Sequence, residues 1–142
     1  MKRHFMAALM VVAMAGFCGC DGEADETTDT GPDSSVAGTW SGTMKATRFM
    51  GQPVAAGDSE VVPFTMSISQ SGGDIDVSFQ ANEYPGFFTG TFSKSDGYIQ
   101  FSATADYKYQ FFGYVGFGNR SITGQWSVNI PGGMGGTWQA SR

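Results

Sequence analysis

Three observations predict an all-β fold. Apolar and polar side chains alternate with period two in one segment after another, the spacing of a half-buried strand. Turn signals rich in Gly separate these segments about every 8–12 residues, the rhythm of a sandwich or barrel. The composition agrees: the 142 residues include 21 Gly, 14% aromatic residues and only 15% charged ones. Leu occurs once, at Leu9, and a helical bundle without this strong helix former would be unusual. About eight strands are expected, arranged as a single antiparallel up-and-down barrel, with a β-sandwich as the alternative.

A first strand is expected around Val36 to Thr47. Next, Phe64, Met66 and Ile68 alternate with Thr65, Ser67 and Ser69, and Ser71-Gly72-Gly73-Asp74 turns the chain. Ile75, Val77 and Phe79 then alternate with Asp76, Ser78 and Gln80, and Glu83-Tyr84-Pro85-Gly86 reads as the following turn. Phe88, Gly90 and Phe92 share a face, before a turn at Lys94-Ser95-Asp96-Gly97. Ile99, Phe101, Ala103 and Ala105 form the next face, and Tyr107 to Val115 another strand. Ile122, Gly124, Trp126, Val128 and Ile130 alternate with polar neighbours, and Pro131-Gly132-Gly133 leads into a last strand from Gly136 to Arg142.

The inward set is expected to be Trp40, Met44, Phe64, Met66, Ile68, Ile75, Val77, Phe79, Phe88, Phe92, Ile99, Phe101, Tyr109, Phe111, Val115, Ile122, Trp126, Val128 and Trp138. Eight strands offer roughly 24 inward positions, so these large side chains would fill most of the interior and leave at most a small pocket at one mouth. Each buried Phe or Met contributes about 1.5–3 kcal/mol, enough in sum to stabilise a domain without disulfides. The inverted arrangement, apolar residues toward lipid around a polar lumen, is disfavoured by length, since a spanning strand needs about 9–11 residues.

A weak repeat runs through the chain: Gly38-Thr39-Trp40-Ser41, Gly90-Thr91-Phe92-Ser93, Gly124-Gln125-Trp126-Ser127 and Gly136-Thr137-Trp138. Gly and the ring stand two residues apart and so face the same side of a strand. The bare Gly leaves room for a neighbouring ring and lets the strand bend. A Gly-x-Trp in the first strand and another in the last resembles the calycin group of eight-stranded barrels, the lipocalins and avidins. The resemblance covers roughly residues 36–142 and implies a sheet closed by its first and last strands. It also implies a habit of holding small apolar ligands; it identifies no ligand residues.

The N-terminus reads as an address. Lys2, Arg3 and His4 precede an apolar stretch from Phe5 to Phe17, too short to span a membrane but suited to a signal peptide. It runs into Phe17-Cys18-Gly19-Cys20, which resembles the lipobox of bacterial lipoproteins. The resemblance implies cleavage after Gly19 and lipidation of Cys20, anchoring the chain to a membrane of the bacterial cell envelope. The alternative is an ordinary cleaved signal peptide. Residues 1–19 are thus expected to be a signal peptide, residues 20–35 the lipidated Cys and tether, and residues 36–142 the domain. Asp21 to Ser35 carries six of the 13 acidic residues and no aromatic, so it is expected to be disordered and extended. Asp21 after the Cys resembles an inner-membrane retention signal, whereas acidic runs there also resemble surface-export signals. With Cys18 and Cys20 the only cysteines, the domain itself has no thiol and no disulfide.

Outside the tether the charge nearly balances: six basic residues stand against seven acidic ones from 36 to 142. An acidic chain without a basic surface is not expected to bind nucleic acid. The single His, His4, belongs to the signal peptide, which leaves no His-based nucleophile pair or zinc site. Gly132-Gly133-Met134-Gly135-Gly136 lacks the Lys and helix of a phosphate loop. No catalytic residue, metal or cofactor is therefore assigned. Asp74 and Asp76 share a strand face but read as a solvated edge rather than a calcium site, and Glu83 lacks an identifiable second carboxylate for glycoside hydrolysis. Asn119-Arg120-Ser121 matches a glycosylation sequon of little meaning in a bacterial lipoprotein.

Tyr107 to Gly118, YKYQFFGYVGFG, offers the one candidate binding patch. With Tyr109 and Phe111 inward, Phe112 and Tyr114 point outward as neighbouring aromatics, able to stack on sugars or pack in an interface, and Phe87 is expected to extend them. The expected function is a non-enzymatic binding or interaction module for a small apolar ligand, a glycan or a protein partner. An inhibitor of an exported enzyme and a carboxylate-dependent hydrolase are the alternatives. The sequence leaves the oligomeric state open.

Overall fold

The computed structural model describes residues 35–142. The expectations for the signal peptide, for Cys20 and for the tether through residue 34 lie outside the described residues. Nine strands follow in order: β1 (Gly38–Phe49), β2 (Gln52–Pro53), β3 (Val61–Ser71), β4 (Asp74–Ala81), β5 (Tyr84–Phe92), β6 (Tyr98–Thr104), β7 (Lys108–Val115), β8 (Ser121–Val128) and β9 (Met134–Ser141). A 3-10 turn at Phe117–Asn119 joins β7 to β8. β2 is only a two-residue return against the end of β1. The other strands form one antiparallel ring in chain order, and β1 pairs a second time, with β9. The result is a closed eight-stranded barrel, compatible with a calycin-like fold. Closure leaves no pair of separate sheets, which removes the sandwich alternative.

The strand period places the apolar set inside. Along β3 the burial alternates without interruption from Val62 to Ile68, and along β4 from Ile75 to Ala81. All of the expected inward residues are buried except Val115, which is half-buried near the end of β7 and packs against the core. Val36, Val62, Ala81 and Ala140 complete the core. Thr65, Ser67, Asp76 and Gln80 face outward, so the inverted, lipid-facing alternation does not describe this barrel. The middle of the interior is a continuous set of rings. Phe101 stacks on Phe111 at 5.0 Å between centroids, Phe64 on Phe79 at 4.7 Å, and Phe88 meets Phe79, Phe101 and Phe111 edge-on. Such pairs contribute about 0.5–1.5 kcal/mol each beyond their buried area.

The Gly-x-Trp repeats fit together across strands. Trp138 on β9 pairs with Gly124 on β8, which in turn pairs with Gly113 on β7. With no side chain at Gly124, the indole crosses β8 and its Nε1 donates to the carbonyls of Phe112 (3.2 Å) and Gln125 (3.1 Å). Trp126 repeats the device one strand further on. It pairs with Gly136 on β9, crosses that strand, and donates from Nε1 to the Lys45 carbonyl of β1 at 3.3 Å. A Cβ at Gly136 would lie 1.8 Å from that same carbonyl oxygen, and one at Gly124 would lie 2.0 Å from the oxygen of Phe112. Each glycine therefore serves a ring on the adjacent strand rather than the ring two residues along its own.

Both ends of the barrel are covered. Val36, fully buried, donates its N–H to the Gln70 side chain at 2.8 Å and accepts from Trp40 Nε1 at 2.9 Å. Arg142 lies over the Trp40 ring at 4.7 Å and donates to the carbonyls of Ala37, Asn119 and Ser35. At the opposite end Ala46, Ala103, Ile130 and Met134 pack against the core.

Two local expectations are corrected. The turn between β4 and β5 falls at Asn82-Glu83, where Asn82 takes φ 52°, while Tyr84, Pro85 and Gly86 belong to β5. Asn tolerates this left-handed conformation, so Pro85 is not needed to reverse the chain. β1 begins at Gly38 and runs to Phe49 instead of ending near Thr47, because a register shift between Ala46 and Arg48 extends its pairing with β9.

Substituting Gly136→Ala forces a Cβ into the Lys45 carbonyl and is expected to destabilise the barrel by about 2–4 kcal/mol. Gly57→Ala, whose Cβ would meet nothing within 4 Å, is expected to stay within about 0.5 kcal/mol of wild type. Urea unfolding followed by tryptophan fluorescence measures both.

Candidate functional site

The outer wall carries the features that the filled interior lacks. On β7, Tyr109, Phe111 and Gly113 face in, and the alternation turns Phe112 and Tyr114 out, with exposures of 37% and 60%. Strand register sets their neighbours. Tyr114 pairs with Tyr98 on β6, and the two rings meet edge-on at 5.4 Å. Phe112 pairs with Gln100 on one side and Gln125 on the other.

Continuing these pairings around the barrel gives two parallel rows of outward side chains. One row reads Tyr98, Tyr114, Thr123, Gln139, Thr43, Pro63. The other reads Thr91, Gln100, Phe112, Gln125, Thr137, Lys45, Val61. A shallow groove of about 590 Å³ runs along the β8–β9–β1–β3 part of both rows. Its walls are Thr43, Lys45, Val61, Thr123, Gln125, Thr137 and Gln139, and it also reaches Gly124 and Trp138. Both of these residues belong to the inward set of positions, so what they offer the groove is strand backbone. Hydroxyls and primary amides each present donors and acceptors, so the groove is rich in uncharged hydrogen-bonding groups beside an aromatic pair.

The support for this wall is rigid. The Phe112 and Gln125 carbonyls, opposite each other in one row, both accept from the Trp138 indole behind them. The backbone of the exposed ring is thereby tied to the aromatic core.

The structure brings Phe112 and Tyr114 together but sets Phe87 apart. Phe87 is 57% exposed and lies on β5 opposite Ser78 of β4. β5 pairs with β6 only from Thr89 to Phe92, so Phe87 lies beyond the paired stretch that leads across to Phe112. It stands four positions before Thr91, the β5 member of the Phe112 row, about 13 Å along the strand. The third aromatic of the patch is Tyr98, which sequence reasoning passed over. It sits directly after the Asp96-Gly97 turn signal, and only the β6–β7 register reveals its ring partner.

The remaining candidates are placed as follows. Asp74 and Asp76 are exposed on β4, and no group of three or more potential metal ligands occurs among the described residues. Glu83 is exposed in the β4–β5 turn. Asn119 of the sequon donates its amide to the Ser35 carbonyl at 3.2 Å, a structural tie to the start of the domain. Gly135 and Gly136 are buried within β9, so the Gly-rich run is strand and turn.

One carboxyl departs from its ordinary behaviour. A side-chain hydrogen bond from Ser93 holds the Asp96 pKa below the usual carboxylate range, and the Tyr98 N–H adds to this at 3.2 Å. Both bonds favour the charged form. A depressed folded-state pKa contributes stability above the unfolded value and loses it as pH falls through the folded one. Asp96 thus steadies the turn that presents Tyr98.

No protein-family model matches the chain, and no curated protein matches it in sequence.

Removing the Ser93 hydroxyl in Ser93→Ala is expected to raise the Asp96 titration midpoint toward the ordinary carboxylate value. Carboxyl carbon shifts of Asp96 followed by NMR as a function of pH report it directly, and an unchanged midpoint would assign the shift to other groups.

Proposed function

We propose that this chain is a lipid-anchored protein of the bacterial cell envelope whose barrel is a non-enzymatic glycan-binding module. The observation that carries this reading is the division of the barrel. Its interior is filled by rings and aliphatic side chains, while Phe112, Tyr114 and Tyr98 stand on the outside beside a groove of Thr and Gln. Apolar faces of sugar rings stack on aromatic side chains, and sugar hydroxyls exchange hydrogen bonds with amides and hydroxyls. A drug-sized apolar ligand would need an enclosed cavity, and the sequence positions that line the interior are occupied instead. Anchoring follows from the lipobox resemblance at Phe17-Cys18-Gly19-Cys20, with Cys20 as the lipidated residue and the acidic segment after it as a spacer. Fourteen residues stand between Cys20 and Ser35, a length that suits a domain held off the bilayer to meet an extended polymer.

The stacking surface is tested with the full-length protein in detergent against an array of envelope and extracellular glycans. Tyr114→Ala and Phe112→Ser are each expected to weaken binding about tenfold, equivalent to about 1.4 kcal/mol, without a change in unfolding midpoint. Phe87→Ser is expected to leave affinity unchanged, because it lies outside the patch. Equal binding by all three variants would remove the glycan reading.

Metabolic labelling with a fatty-acid analogue tests the anchor. Cys20→Ala is expected to lose the label and Cys18→Ala to keep it.

A further inference from the structure

The ligand of the outer wall can be narrowed by charge, an inference that rests on the glycan reading above. Of the outward residues in the two rows from Tyr98 to Val61, Lys45 is the only charged one. It is half-buried in the wall of the groove, between Thr137 of β9 and Val61 of β3 in its row. No ion pair to Lys45 is formed by the acidic side chains of the rows, because the rows contain none. The backbone that carries Lys45 is fixed at this point of β1, because the Lys45 carbonyl accepts from the Trp126 indole.

We propose that the groove takes an acidic oligosaccharide, with one sugar stacked on Phe112 and Tyr114 and the carboxylate of a uronic acid unit further along the chain on Lys45. Four successive strands contribute to the one groove, so a single ligand lying along it touches all four. Phe112 and Lys45 are three strands apart in the same row, about 14 Å at ordinary strand spacing, so the ligand is a chain of several sugars and not a monosaccharide. A neutral chain lying over Lys45 would strip water from its ammonium without offering a partner in place of that water. A carboxylate restores that partner with a charge-assisted hydrogen bond. The near-neutral domain supplies no broad positive field, so selection rests on this one contact and not on general attraction of polyanions.

The experiment uses the full-length protein in detergent and oligouronates of several sugars, built from galacturonate, mannuronate or glucuronate, each beside its methyl-esterified, uncharged counterpart. At low salt the wild type is expected to bind at least one oligouronate about fivefold more tightly than its ester. Lys45→Gln is expected to abolish that preference while still binding the ester, since it removes the charge and keeps the backbone carbonyl that Trp126 uses. Tyr114→Ala is expected to weaken acid and ester together. Acid and ester bound equally by the wild type, or a preference that survives in Lys45→Gln, would overturn the acidic-ligand proposal and leave the stacking surface standing. Binding of neither form by the wild type, where neutral glycans bind, would overturn it in the same way. Failure to bind any glycan, charged or neutral, would overturn the glycan reading itself.

Discussion

Two tryptophans lying across glycines tie the last strands of this barrel to their neighbours, and Trp126 does so across the β1–β9 seam. A β-strand ordinarily keeps its side chains over its own backbone and its nearest partner. Trp126 and Trp138 reach further, each crossing a whole strand at a residue without a Cβ to bond a carbonyl beyond it. The crossings occur at Gly136 and Gly124, on the strands β8 and β9 that bring the sheet back to β1. A side chain at either glycine would collide with main-chain oxygen, which cannot be moved without breaking the ladder. Closure of the ring and placement of the Trp126 indole therefore depend on each other. The indole N–H groups, which would be costly to bury alone, find their partners in the same step.

The consequence inside is a core whose polar groups, such as the tryptophan indole N–H donors, have partners. Among the described residues every buried side chain is apolar or aromatic, and no buried polar atom lacks a partner. A barrel of this size has room for side chains or for a small ligand, but not for both in full. Here the rings from Phe64 to Trp138 use the space, and Trp40 under Arg142 closes one end. The proposed recognition surface is on the outside, where the same strands that pack rings inward turn Phe112, Tyr114, Gln125 and Lys45 outward. Because Trp138 bonds the backbone of Phe112 and Gln125, this outer surface is tied to the core. A preorganised stacking surface loses little entropy when a ligand settles on it.

Much of this was legible along the chain, for a simple reason. The side-chain period of a strand is two, so residues such as Phe64, Met66 and Ile68 announce their face without knowledge of any partner. Turns with Gly in sequence, such as Ser71-Gly72-Gly73-Asp74, were equally plain, and Gly72 indeed takes φ 62°. The turn after β4 was misplaced because Pro-Gly is a stronger textual signal than Asn82-Glu83, yet the pairing of Ala81 with Tyr84 left Pro85 inside the strand. Phe112 and Tyr114 were visible as outward aromatics of one strand. Tyr98 was not, since its importance comes from a ring on a strand ten or more residues away.

The sequence by itself determined which side chains go in and which go out, that the chain is β throughout the domain, and that rings are matched to glycines. These properties depend on local alternation and on the size of single residues. Only the tertiary structure decided which ring lies over which glycine, that Phe87 stands apart from Phe112, and that Lys45 shares a groove with Gln125 across three strands. Those relations depend on register between strands distant in the chain. A shift of two residues would preserve every inward and outward assignment while changing every neighbour.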